Sequence, residues 1–160
     1  MTKQFDLDNS ITQAQNEVIE ATIRNSKKFI YCSFQKEGYH CFPEAATDPQ
    51  FATGDEYDVS HLATKHFHYF VIKVWLEVKH TNRDVEFIQF RRWLESLYGN
   101  KTLSLDSKSC EMIAEDLFRQ IAIKYPNCEI RIDVAEMKEM GAIGTHFNER
   151  DLNCYSWLRS

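Results

Sequence analysis

Proline and glycine are scarce here, three and five in 160 residues, and no stretch is repeated or low in complexity, so nothing in the sequence marks a linker between domains. Long apolar runs are missing too. No segment approaches the roughly 20 apolar residues of a membrane-spanning helix, and the first thirty residues hold no apolar stretch behind a basic start, so neither a membrane protein nor a secreted one is expected. The five cysteines, Cys32, Cys41, Cys110, Cys128 and Cys154, are odd in number and form no CxxC pair. That pattern fits reduced thiols in the cytoplasm better than a disulfide framework. Basic clusters reduce to the pairs Lys27-Lys28 and Arg91-Arg92 in a chain of formal net charge -5. Nucleic-acid binding, which draws its affinity from clustered cations displacing counterions, is therefore not expected. What is abundant is apolar and aromatic surface, 43% and 13% of residues, enough for one domain of residues 1–160 with a proper core.

The periodicities predict an α+β domain. Asp8-Asn9-Ser10 is a capping cluster, and Ile11, Ala14, Val18 and Ala21 follow at helical spacing, which predicts an N-terminal helix from about Ser10 to Ser26. Phe29–Phe34 reads as a strand, with Gly38 as a turn and Tyr39–Phe42 as its hairpin partner. Pro43 to Thr64 has Asp-Pro and Gly-Asp turn signals and no period, a loop of about twenty residues, and loops that long are often functional. Lys65–Lys79 alternates most clearly, with His66, His68, Phe70, Ile72, Val74 and Leu76 on one face. A turn at 80–84, a short return strand Val85–Phe87 and an amphipathic helix Ile88–Tyr98 come next. Ser107 or Ser109 caps a further helix, Cys110–Tyr125, before a strand over Cys128–Val134.

Certain residues stand out chemically. His66 and His68, two apart on a strand, point to the same side and suit a metal site. His40, Cys41, His61 or an acidic loop residue such as Asp58 would complete it. The alternative is a pair of histidines hydrogen-bonded at a strand end. The tail from Thr145 contains Phe147, Tyr155 and Trp157 among charged residues, a pattern suited to docking on a protein partner.

From Phe42 to Ala142 the chain resembles the tunnelling-fold 6-pyruvoyl- and 6-carboxy-tetrahydropterin synthase family. His66-Phe67-His68 is similar to its paired zinc histidines, Val85-Glu86-Phe87 through Leu94 to its strand-to-helix stretch, Cys110-Glu111-Met112-Ile113-Ala114 to the start of its second helix, and Val134-Ala135-Glu136 to its end strand. The resemblance implies a tunnelling-type antiparallel sheet with two helices packed on one face, a zinc ion, Glu136 as anchor of a bicyclic ligand, and subunits that pair into homo-oligomers. It also exposes departures. The family's early zinc histidine falls at Thr47, the loop Phe51–Lys65 lacks the expected cysteine, the expected histidine after Asp106 is Ser107, and a glycine is replaced by Phe67.

These departures favour a non-catalytic binding or inhibitory protein on a degenerate pterin-synthase-like scaffold, with no catalytic residue and no cofactor. The alternative is a zinc-dependent lyase using His66, His68 and Glu136. The compact acidic character also resembles the small early proteins of T-even-type bacteriophages, which implies a host protein as partner, for example a protease such as Lon.

Overall fold

The computed structural model describes residues 12–136 and 140–147, the latter stretch as backbone. It is an α+β fold in which one mixed sheet of five strands, in the order β3-β1-β2-β4-β5, is covered on one face by two helices. Helix α1 (Gln13–Asn25) leads in, its start fixed by a capping box in which Thr12 and Gln15 exchange hydrogen bonds. The predicted start at Ser10 lies outside the described residues. No helix among the described residues is long and apolar enough to cross a membrane.

Strand β1 (Lys28–His40) runs unbroken and pairs antiparallel along its whole length with β2 (His66–Val78). The hairpin expected around Gly38 is therefore a correction. Gly38 does not turn the chain; a Cβ there would lie 3.0 Å from Cε2 of Phe70 and 3.1 Å from Cδ1 of Leu105, so glycine serves close packing within a continuous strand. Between β1 and β2 the loop 43–64 carries two short 3-10 turns, Pro43–Ala46 and Ser60–Ala63. The Phe42 N–H donates to the Leu62 carbonyl at 2.7 Å and closes the loop's base.

Helix α2 (Phe87–Tyr98) begins where a return strand was expected. Glu86 accepts a hydrogen bond from the Gln89 N–H and caps it, so Phe87 is already helical. Strand β3 (Leu103–Asp106), absent from the sequence reading, runs parallel to the end of β1. Ser109 caps α3 (Cys110–Lys124) by accepting from the Met112 N–H. Strand β4 (Ile130–Glu136) then pairs antiparallel with β2, and β5 (Met140–Phe147), also not foreseen, pairs with β4.

The core forms where the even-numbered side chains of β1, β2 and β4 meet the helices. Phe70, Ile72, Val74 and Leu76 of β2 pack with Ile130, Ile132 and Val134 of β4, beneath Phe90 and Leu94 of α2 and Ile113, Leu117 and Ile121 of α3. The same parity places His40, His66, His68 and Glu136 on this helix-covered face, at one end of the sheet.

Candidate metal centre

The histidines meet because of strand register. His40 ends β1 and is paired with His66, the first residue of β2, and directly opposed residues in an antiparallel pair share a face. His68 follows two residues on and joins them. The ring centroids are 4.6 Å apart for His40 and His66, 5.0 Å for His40 and His68, and 4.9 Å for His66 and His68. One ring nitrogen from each lies within 4.8 Å of the other two. His40 and His68 are buried and His66 is half-buried.

Second contacts set the tautomers. His40 Nδ1 lies 3.0 Å from the Lys108 carbonyl oxygen, and His66 Nδ1 lies 2.7 Å from that of Thr64. A carbonyl oxygen can only accept, so each Nδ1 carries the proton, and in the neutral ring each Nε2 is left with its lone pair. A backbone carbonyl orienting the far nitrogen is how protein imidazoles are commonly presented to metals. His68 differs in that both its ring nitrogens are buried without a hydrogen-bond partner. Burial pulls its pKa below the ordinary histidine value, with the neighbouring rings adding to the effect and Glu136 opposing it, which favours the neutral, metal-binding form.

Glu136, at the end of β4, turns its carboxylate toward the rings. Its Oε1 is 3.2 Å from His40 Nε2 and its Oε2 is 3.5 Å from His68 Nε2. Neither nitrogen meets it in hydrogen-bonding alignment, so these are close contacts and not hydrogen bonds. Cys110 at the start of α3 donates from Sγ to Glu136 Oε1 at 3.7 Å. Burial first, and the Glu136 charge next, push this thiol up to about 12, which leaves it protonated at neutral pH.

The residues fit a divalent ion of the zinc class. Three imidazoles with a carboxylate beside them form a donor set that zinc accepts, and a buried His68 nitrogen without a partner is costly unless a cation takes its lone pair. His40, His66 and His68 would hold the ion. Of the other sequence candidates, Asp58 is engaged within its loop, accepting from the Gly54 and Ser60 N–H groups, and Cys41 donates to the Asp106 carbonyl at 3.6 Å. His61 lies in the second 3-10 turn, and Thr47 ends the first, its N–H donating to the Glu44 carbonyl. The imidazole that joins His66 and His68 is that of His40.

Phe67 does not intrude on the cluster. Its ring packs edge-on against Tyr39 at 5.2 Å and Tyr69 at 4.9 Å, residues of its own parity on the opposite face of the sheet. Ser107 is exposed. The backbone of Phe147 ends β5 opposite Ile130, while Tyr155 and Trp157 lie outside the described residues. No protein-family model and no curated protein matches the chain.

Proposed function

We propose that this chain is a non-catalytic metal-binding protein on a pterin-synthase-like tunnelling scaffold, holding a zinc-class divalent ion with His40, His66 and His68. The observation that carries this reading is the paired orientation of His40 and His66. Each Nδ1–H is tied to a backbone carbonyl, which leaves its Nε2 available beside a His68 whose nitrogens have no hydrogen-bond partner.

Binding is favoured over turnover by the state of the nearby thiols. Cys110, the thiol in contact with Glu136, is pushed up to about 12, and the loop Phe51–Lys65 contains no cysteine. A buried thiol of that pKa is a poor nucleophile and a poor proton acceptor at neutral pH. A zinc-dependent pterin synthase-like lyase is the second reading, favoured by the complete set of three imidazoles. Incubating the zinc-loaded protein with a dihydropterin substrate separates the two. We expect no product, whereas product formation that disappears in His68→Ala would establish the lyase. For metal binding itself, elemental analysis is expected to find zinc in the purified chain and none in His68→Ala.

A further inference from the structure

The structure assigns a peptide-docking site to the end of β1 away from the histidines, where a groove between the edge of that strand and α2 takes an extended acidic segment of a protein partner as an added strand. The site is independent of the metal centre. β1 pairs with β2 along its whole length, but on its other side β3 reaches only Gly38 to His40. Backbone N–H and C=O groups of a strand point by turns to its two sides, so half of those in residues 28–37 face no strand among the described residues. Edge strands are commonly guarded by charge or proline, yet Phe29-Ile30-Tyr31-Cys32-Ser33-Phe34-Gln35 has neither.

A groove of about 710 Å³ follows this edge, lined by residues 29–33 without a gap. A cavity over one face of the sheet would be lined by alternate residues only, so the groove runs along the backbone itself. Its opposite wall is one stripe of α2, Phe87, Ile88, Arg91, Arg92 and Glu95, while Phe90 and Leu94 of the same helix face the core. The walls match in length, about 12 Å of helix against about 13 Å of strand. Phe87 and Ile88 are 56% and 51% exposed, which leaves them available to cover an apolar residue.

Charge selects the occupant. Lys28 and Lys36 stand at either end of the uncharged run, their ammonium groups bonded to backbone carbonyls that leave the charge uncancelled. Across the groove Arg91 is paired with Glu95 at 3.0 Å, whereas Arg92 is exposed and has no ion pair or hydrogen bond among the described residues. These cations face a single carboxylate, a basic spot on a chain of net charge -5, and an acidic strand complements it. An added strand gains main-chain hydrogen bonds from the free edge and side-chain contacts at alternate positions. One helical turn, about 5.4 Å, separates Phe87 and Ile88 from Arg91 and Arg92, close to the roughly 6.6 Å between alternate strand residues. The segment that fits therefore carries an apolar residue and an acidic one two positions apart.

The test selects a displayed library of random heptapeptides on the full chain. Enriched peptides are expected to share an apolar residue and Asp or Glu two apart, and to shift the amide signals of residues 29–33 in an isotope-labelled chain. Arg92→Glu is expected to weaken their binding at least about tenfold and to enrich basic peptides in their place. Ile88→Asp is expected to abolish binding, with both variants folded by circular dichroism. Failure of any peptide to enrich, binding indifferent to Arg92→Glu, or amide shifts that avoid residues 29–33 would each overturn the assignment. So would a dimer in sedimentation that Ile88→Asp dissociates, since a second copy of the chain would then occupy the edge.

Discussion

At the scale of single residues, the centre depends on groups with quite different legibility. His66 and His68 stand two apart on a strongly alternating strand, and their shared face follows from the sequence alone. His40 was one of four candidates for the third position, and what selects it is the register that sets the last residue of β1 against the first of β2. The carbonyls of Lys108 and Thr64 that fix the tautomers are backbone groups and leave no trace in side-chain pattern. Gly38 was misread for a related reason. A glycine between two short apolar runs signals a turn, but here it makes room for the Phe70 ring, whose centroid lies 5.3 Å from that of His40. Gly38→Ala is accordingly expected to cost about 1–3 kcal/mol through overpacking of Phe70 and Leu105, measured by denaturant unfolding. An unchanged midpoint would show that Phe70 can move aside freely.

At the scale of elements, β2, α3 and β4 were readable because each is long or cleanly periodic: the even-numbered residues of the two strands form the core as the alternation requires, and Ile113, Leu117 and Ile121 of α3 join them at helical spacing. Strands β3 and β5 were missed. The first has only four residues and takes its place by pairing in parallel with β1, a non-local contact that local pattern does not carry. The start of α2 was misplaced because its cap is Glu86, whereas capping preference points to Ser, Thr, Asp or Asn. Glu86→Ala should therefore destabilise the fold by about 1 kcal/mol, read from thermal or denaturant unfolding, while Glu86→Asp should retain most of the cap.

The loop between β1 and β2 has its own acid-sensitive order. Hydrogen bonds from the Thr53 hydroxyl and the Tyr57 N–H hold Asp55 below the ordinary carboxylate value of 3.8, and the Ser60 hydroxyl and the Gly54 N–H do the same for Asp58. Because the folded values are depressed, the stabilisation is present in full above 3.8 and is lost as pH falls through the lowered values. Amide shifts of Gly54, Tyr57 and Ser60 followed by NMR should move together below pH 3.8, and midpoints at or above that value would contradict the assignment.

At the scale of the molecule, the cluster lies where β1 ends and β2 begins, so an ion held by His40, His66 and His68 would couple metal binding to folding. An ion at 100 times its dissociation constant would stabilise the native state by about 2.7 kcal/mol. Chelation should lower the melting temperature by several degrees, and added zinc should restore it, an effect absent in His68→Ala. The same proteins give the most direct test of the central claim. Elemental analysis of the purified chain is predicted to find about one zinc-class ion per chain, and none in His68→Ala. A wild-type protein that carries no metal, and takes up none when offered zinc at neutral pH, would contradict the account.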